Sequence, residues 1–245
     1  MQRFNDSVSR KANKVADLIF PPRCPLCEEL LVGQGRVCET CRMKISYVQE
    51  PSCFRCGKEI MDEEAELCEV CTGRDFNYIR GFPAINYVEP MRESVARFKY
   101  HNCRTYAQFY ADEIVRAKGK QILAVAPELL IPVPVHKKRF RKRGYNQAGL
   151  LAEALGKRLN IPVDTELLVR GSNTLPQKTL GASGRQANLN KAFQPGKNNV
   201  KYKRVMLVDD IYTTGATIEA CAGVLRKMGC EEVYYTSVCI GKQVG

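Results

Sequence analysis

Two adjacent acids followed by a hydroxyl-rich turn are the residues of this chain best suited to chemistry. Asp209 and Asp210 follow a four-residue apolar run at 205–208. The turn after them contains Thr213, Thr214, Gly215, Ala216 and Thr217. Carboxylates accept hydrogen bonds from sugar hydroxyls, whereas threonine hydroxyls and unpaired backbone N–H groups donate to phosphate oxygens. The residues therefore predict a site for a phosphorylated sugar, with the acids on the sugar and the turn on the phosphate.

The surrounding pattern predicts a strand that leads into a helix. The apolar run at 205–208 has the length of a strand buried on both faces, and residues 218–228 have helical spacing of apolar side chains. Ligands of open α/β sheets bind at the carboxyl ends of strands, and Gly215 lets the backbone approach a phosphate without a Cβ. The alternative is a buried strand and a plain turn, in which the acids only place negative charge near the N-terminus of the helix.

The same residues resemble the signature with which type I phosphoribosyltransferases bind 5-phosphoribosyl-1-diphosphate (PRPP). That signature consists of several apolar residues, two acids, two spacer residues, Thr-Thr-Gly, one further residue and Thr, and every position is filled here. The resemblance implies that Asp209 and Asp210 bind ribose and that residues 213–217 bind the 5-phosphate. Magnesium would be carried mainly by the diphosphate of PRPP.

A basic segment follows the predicted strand at 129–133, and six of the seven residues from Lys137 to Arg143 are cations. Because that strand ends at the same sheet edge, its loop could present N–H groups and cations to a diphosphate. The resemblance places a pyrophosphate loop here, formed by Pro134, Val135, His136 and Lys137. A solvated basic turn is the alternative. Surplus cations, with Phe140 and Tyr145 as stacking platforms, predict a track for single-stranded nucleic acid.

A polar, glycine-containing segment at 175–190 predicts a mobile flap. When pyrophosphate leaves C1 of the ribose, water would capture the cationic centre, so a transferase gains from a loop that closes over the site. Lys178 and Arg185 are the candidates for contacting the leaving group, and we assign them catalytic roles together with Asp209 and Asp210. An ordinary surface connection is the alternative.

Eight of the twelve cysteines form four Cys-x-x-Cys pairs, a spacing that aims two sulfurs at one metal ion. Sequential pairing predicts two structural zinc sites, with ligands Cys24, Cys27, Cys38 and Cys41 in one and Cys53, Cys56, Cys68 and Cys71 in the other. A crossed arrangement, in which the first pair joins the third, remains open. Disulfides are disfavoured in a chain without a secretion signal.

Composition and pattern give the organisation of the chain. Its 245 residues, 44% of them hydrophobic, suit one α/β domain and a smaller one, and the net charge of +12 favours anionic partners. We predict an amphipathic helix at 1–20, a double zinc ribbon at 21–78 and a phosphoribosyltransferase-like domain at 79–245. The first helix could pack on the protein or lie on an anionic membrane surface. With no signal peptide or apolar span, we expect a cytoplasmic protein.

Alternating strand and helix patterns after residue 80 predict a mostly parallel sheet with helices on both faces. The expected strands are 84–88, 129–133, 166–170, 205–208 and 232–240, and the expected helices are 91–100, 106–117, 148–159 and 218–228. This is the type I phosphoribosyltransferase-like α/β fold class that the signature implies.

Together these features resemble the ComF family of competence-associated proteins, in which a zinc ribbon precedes a phosphoribosyltransferase-like domain. The likeness rests on residues 18–27, 143–148, 177–180 with Arg185 and Asn188, and 208–217. It implies a role in DNA uptake during natural transformation, with single-stranded DNA and a competence helicase as partners. Two functions remain open, namely a PRPP-binding protein of DNA uptake and an active phosphoribosyltransferase of nucleobase or nucleotide metabolism that releases pyrophosphate.

Overall fold

The computed structural model describes residues 21–31, 35–171, 192–198 and 201–241. The predicted helix at 1–20 and the predicted flap with Lys178 and Arg185 lie outside the described residues. The chain divides between Ile45 and Ser46 into two compact units, so the first four-cysteine group lies in one unit and the second in the other. Among the residues that the structure describes, no helix combines the length and the apolar character that crossing a membrane requires.

The larger unit is built around a four-stranded, fully parallel sheet. In spatial order its strands are β1 (Gly81–Asn86), β6 (Glu232–Ile240), β5 (Arg204–Tyr212) and β2 (Leu129–Pro132). The side chains of β1 and β2 are buried throughout, as expected when both faces of a parallel sheet are covered. A separate antiparallel pair joins β3 (Leu168–Arg170) to β4 (Phe193–Pro195).

The helices are numbered in chain order within the described residues. In the smaller unit lies α1 (Glu39–Arg42), and the larger unit contains α2 (Met91–Tyr100), α3 (Tyr106–Ala124), α4 (Lys137–Arg143), α5 (Gln147–Leu159) and α6 (Ala216–Lys227).

Helices cover both faces of the sheet. One buried cluster on the α6 side contains Leu129, Ile131, Val205, Leu207, Ile218, Cys221 and Leu225. Successive strand residues point to opposite faces, so the fully buried Leu130 and Met206 lie on the other face, where α3 and α5 pack on the sheet and on each other. Arg158 of α5 joins those two helices by donating to Asp112 Oδ1 at 2.6 Å. The predicted parallel sheet with helices on both faces is confirmed.

Several details differ from the sequence-based expectation; the strand expected at 84–88, for example, is Gly81–Asn86. Helix α3 continues past residue 117 through Gly119, because Ile122 supplies another buried apolar contact in the next turn. The basic segment expected as a loop contains α4, since the His136 side chain accepts a hydrogen bond from Lys138 N at its start and Gly144, at φ +76°, ends it. The strand β4 had no predicted counterpart.

Two glycines of α5 give a matched test of this packing. A Cβ at Gly156 would lie 2.6 Å from Val163 Cγ2 and 2.7 Å from the carbonyl oxygen of Ile161. At Gly149 the nearest atom would be Asn146 Cβ at an ordinary 3.5 Å. We expect Gly156→Ala to lower the free energy of unfolding by about 1–3 kcal/mol because of overpacking. Gly149→Ala should raise it by about 0.5–1 kcal/mol through helix propensity.

Urea denaturation followed by circular dichroism measures both changes. Equal stabilisation by the two substitutions would contradict the close contact between α5 and the chain that follows it.

Candidate functional site

The two acids lie inside β5 rather than after its end. Pairing of β5 with β2 stops at Val208, which faces Pro132, whereas pairing with β6 continues to Tyr212. Val133 N donates to the carbonyl oxygen of Val208 at 2.9 Å. Asp209 and Asp210 therefore begin where the neighbouring strand has ended, so one side of β5 is open along the carboxyl edge of the sheet.

Lys99 of α2 compensates the charge of these acids. Its Nζ lies 2.8 Å from Asp210 Oδ1, and both side chains are largely buried. Burial, the largest single effect, disfavours the charged amine, but the charge and hydrogen bond of Asp210 together with the charge of Asp209 outweigh it and raise the pKa of Lys99. This ion pair holds Asp210 in place, and no sequence motif had marked Lys99.

Asp209 is the acid with the perturbed ionisation. Burial, reinforced by the negative charge of Asp210, raises the pKa of Asp209 to about 7. The opposing effects are weaker and come from a hydrogen bond donated by Asp210 N at 2.8 Å and from the cations Lys99 and Arg170. Asp209 thus changes charge near neutral pH.

Arg170, at the end of β3, is a second cation that the sequence did not single out. Burial lowers the pKa of its guanidinium, which acts electrostatically on both Asp209 and His136. Its Nε is buried without a hydrogen-bond partner in the described part of the chain, and its guanidinium carbon lies 5.0 Å from the Phe193 ring centroid. Arg170 thus adds a positive charge between the acids and the loop after β2.

The threonine turn forms the start of α6. Gly215 adopts φ +78°, and a Cβ there would lie 2.2 Å from Tyr212 Oη. Thr213 and Thr214 are exposed. The first backbone bond of the helix runs from Glu219 N to the carbonyl oxygen of Gly215, so the preceding N–H groups of the described turn are available to an anion.

The loop after β2 lies at the same edge of the sheet. Pro134, Val135 and His136 are half-buried and Lys137 is exposed. Asn146 Nδ2 donates to the carbonyl oxygen of Val133 at 3.1 Å, which ties the start of this loop to the start of α5. Burial and the nearby cations Arg170, Lys138 and Arg139 lower the pKa of His136.

The basic helix α4 has no buried residue. Phe140 is 47% exposed, as expected for a stacking platform, but Tyr145 is buried and its hydroxyl donates to the carbonyl oxygen of Phe98. Tyr145 is therefore a core residue, and that part of the interpretation is wrong. Tyr100, which the sequence did not indicate, is 64% exposed, and the guanidinium carbon of Arg143 lies 4.8 Å from its ring centroid.

The eight cysteines form two groups, each with sulfur atoms within 4.8 Å of one another. The first cluster is Cys24, Cys27, Cys38 and Cys41, and the second cluster is Cys53, Cys56, Cys68 and Cys71. The sulfur atoms of Cys27 and Cys38 are 3.8 Å apart, and those of Cys56 and Cys68 are 3.7 Å apart. A tetrahedral zinc site with bonds of about 2.3 Å has edges of about 3.8 Å. The pairing is therefore sequential, and both clusters fit structural zinc.

We expect two zinc ions per chain. Cys24→Ser and Cys53→Ser each remove one thiolate from a different cluster and should each lower the zinc content to about one, because a closed site needs all four ligands. Inductively coupled plasma mass spectrometry of the purified full-length chain measures this content, with Cys103→Ser, outside both clusters, as the control. Two ions retained in both cluster variants would contradict the assignment.

Comparison with known families agrees with the two parts of the structure. Residues 15–72 match the Double zinc ribbon domain family, and residues 142–243 match the Phosphoribosyl transferase domain family. The first match spans both cysteine clusters. The second spans the threonine turn and the two acids, and with the parallel sheet it shows a phosphoribosyltransferase-like fold.

Similar proteins extend over most of the chain. Competence protein F of Haemophilus influenzae is 35% identical over 87% of this chain and 95% of its own. Competence protein ComFC of Bacillus subtilis is 29% identical over 82% of each chain. DNA utilization protein YhgH of Escherichia coli K12 is 26% identical over 91% of this chain and 98% of its own. The chain therefore belongs to the ComF family of competence proteins.

Proposed function

We propose that this protein binds Mg²⁺-bound PRPP at the carboxyl edge of its sheet and acts in the cytoplasm in DNA uptake. The observation that carries the proposal is the placement of Asp209 and Asp210 between an exposed threonine turn and a cation-rich loop. Two acids match the ribose hydroxyls, and the two flanking anion sites match the 5-phosphate and the diphosphate.

Each part of PRPP has a protein counterpart at this edge. Asp209 and Asp210 accept from the ribose hydroxyls, and residues 213–217 donate to the 5-phosphate. The loop from Pro134 to Lys137 receives the diphosphate, and the half-buried Arg170 adds positive charge on that side. Mg²⁺ reaches the site with the diphosphate, because the cations around the acids leave little net negative charge to hold it alone.

The DNA role rests on the relatives and on α4. A competence protein and a DNA utilization protein each align over more than four-fifths of this chain. The six cations of α4 are solvent-accessible, and Phe140 and Tyr100 lie exposed beside them, which suits a single-stranded nucleic acid that stacks its bases on aromatic rings. A DNA-translocating helicase is the proposed partner in uptake.

Turnover of PRPP is the alternative function. A transferase would direct a nitrogen nucleophile to C1 of the ribose, with Lys178 and Arg185 on the departing pyrophosphate. Pyrophosphate release measured with a panel of nucleobases distinguishes the two functions. Release with one base would establish an enzyme, whereas binding without release supports the binding function.

Neutralising either acid should weaken PRPP binding. We expect Asp209→Asn and Asp210→Asn each to raise the Kd for PRPP at saturating Mg²⁺ by about 10- to 100-fold, since each removes a charged hydrogen-bond acceptor. Isothermal titration calorimetry measures the change. Glu128→Gln is the matched control, because Glu128 precedes β2 at the opposite edge of the sheet and accepts from Lys203 N and Arg204 N. Unaltered affinity in both acid variants would remove the proposal.

The pH dependence should follow Asp209. Its ionised form accepts the ribose hydroxyls better, and its raised pKa means that this form is lost as pH falls through about 7. We therefore expect PRPP affinity to fall between pH 8 and pH 6 by more in wild type than in Asp209→Asn. The variant retains the contributions of the ligand's phosphates and of every protein group other than Asp209, so an identical pH profile in both proteins would exclude Asp209 as the titrating group.

Binding to single-stranded DNA tests α4. Replacing Lys138, Arg139, Arg141 and Lys142 with glutamine should weaken binding to an oligothymidine and reduce the slope of log K against log salt, because fewer counterions are released. Replacing the exposed Lys120, Lys157, Lys197 and Lys227 gives the same net charge and should change both quantities less. Fluorescence anisotropy over a salt series measures them. Equal losses in the two variants would indicate general charge attraction instead of a track.

A further inference from the structure

The cysteines of the second cluster belong to the same buried core as the sheet whose carboxyl edge forms the proposed PRPP site. Tyr235 of β6 is fully buried, and its hydroxyl donates to the carbonyl oxygen of Cys56 at 2.7 Å. A Cβ at Gly81 would lie 2.2 Å from the Tyr235 ring, and a Cβ at Gly57 would lie 2.4 Å from Pro83. The turn that contains Cys53 and Cys56, the Cys56 knuckle, is thus packed against the sheet with no spare room.

Three tyrosines connect this knuckle to the threonine turn. The ring of Tyr235 stacks on Tyr212 with centroids 4.8 Å apart and meets the edge of Tyr78 at 5.3 Å. The hydroxyls of Tyr78 and Tyr212 are 2.8 Å apart and hydrogen bonded. Tyr212 is the last residue of β5, and the backbone of Gly215 lies directly against its hydroxyl. A shift of any of these rings would move the turn.

A second connection runs from the end of the cluster to α6. The backbone N–H of Asn77 donates to the Glu219 carboxylate at 3.0 Å, and its side-chain amide donates to the same group. Glu219 lies in the first turn of α6, immediately after the threonine turn. Arg55, between two cysteine ligands, donates to the carbonyl oxygens of Tyr78 and Ile79 at 2.7 and 2.8 Å. Both contacts thus come from the chain segment that carries the four cysteines or directly follows it.

We propose that the second cluster positions the phosphate-binding turn, with Tyr78, Tyr212 and Tyr235 as positioning residues, so that zinc and PRPP bind this chain cooperatively. The inference rests on the proposed PRPP site. Zinc fixes the two Cys-x-x-Cys turns of the second cluster. The packing of the three tyrosines then fixes the position of Gly215, and PRPP binds best to the threonine turn in that same position. Because binding linkage is reciprocal, PRPP must then strengthen zinc retention in the second cluster.

Zinc affinity gives a readout that does not depend on catalysis. A zinc-selective chromogenic chelator, titrated against the full chain in excess Mg²⁺ and read at equilibrium, measures the affinity of both clusters. Cys24→Ser reports the second cluster alone, and Cys53→Ser reports the first cluster alone. We expect saturating PRPP to tighten zinc binding to the second cluster by about tenfold and to leave the affinity of the first cluster unchanged.

The outcomes separate the two proposals. If calorimetry detects no binding of PRPP to wild type, the proposed site fails and the coupling fails with it. If PRPP binds but does not tighten zinc binding to the second cluster, or tightens it equally in both clusters, the coupling is overturned and the proposed site stands.

Tyrosine variants test the connection while zinc is retained. Tyr212→Phe and Tyr78→Phe keep the ring contacts and remove one hydroxyl of the buried pair, so we expect two zinc ions per chain and a PRPP affinity lowered by about five- to tenfold. Tyr234→Phe is the control, because Tyr234 points to the opposite face of β6 and its hydroxyl donates to Glu232 at 2.8 Å. Wild-type affinity in both test variants, with zinc content intact, would show that the tyrosines do not position the turn.

Discussion

The parallel pairing of β2 with β5 is the constraint on which the site depends. Its register ends at Pro132 and Val208, so the loop after β2 and the acids of β5 reach the same sheet edge. After β2 the chain continues to α5 on one face of the sheet, and after β5 it continues to α6 on the other face. Such divergence of neighbouring connections leaves a crevice at the carboxyl edge, where ligands of open α/β sheets bind. Lys99 and Arg170 make two adjacent acids tolerable there, because their positive charges offset the repulsion between the carboxylates.

Each cysteine cluster lies in a short segment that buries little apolar surface, but the surroundings of the two clusters differ. Short ribbons bury too little apolar surface to fold alone, so closed four-thiolate sites supply the missing stability. The second cluster also belongs to a larger core, since its cysteines share a buried group with Leu129, Val205 and Tyr235 of the sheet. The second cluster and the threonine turn thus have common neighbours.

Local sequence was sufficient where a local pattern decides the structure. The bounds of α2 and β6 agree with their apolar periodicity, and the cysteine spacing predicted both metal groups. Local sequence was insufficient where residues distant along the chain determine the structure. The helix predicted at 106–117 continues through Gly119 to Ala124, because Ile122 finds a buried environment. Tyr145 looked like a surface ring among cations, but it is buried with its hydroxyl donating to Phe98 of another helix.

The sequence by itself determined the α/β class, the acids and threonine turn of the candidate site, and the cysteines of the two clusters, because each depends on residue types at short, fixed spacing. Tertiary structure alone decided the partners of those residues. Lys99 and Arg170 come from separate elements, and only chain folding brings their charges to Asp209 and Asp210. It also decided the sequential cysteine pairing, since equal spacing along the chain leaves the distances between sulfurs undetermined.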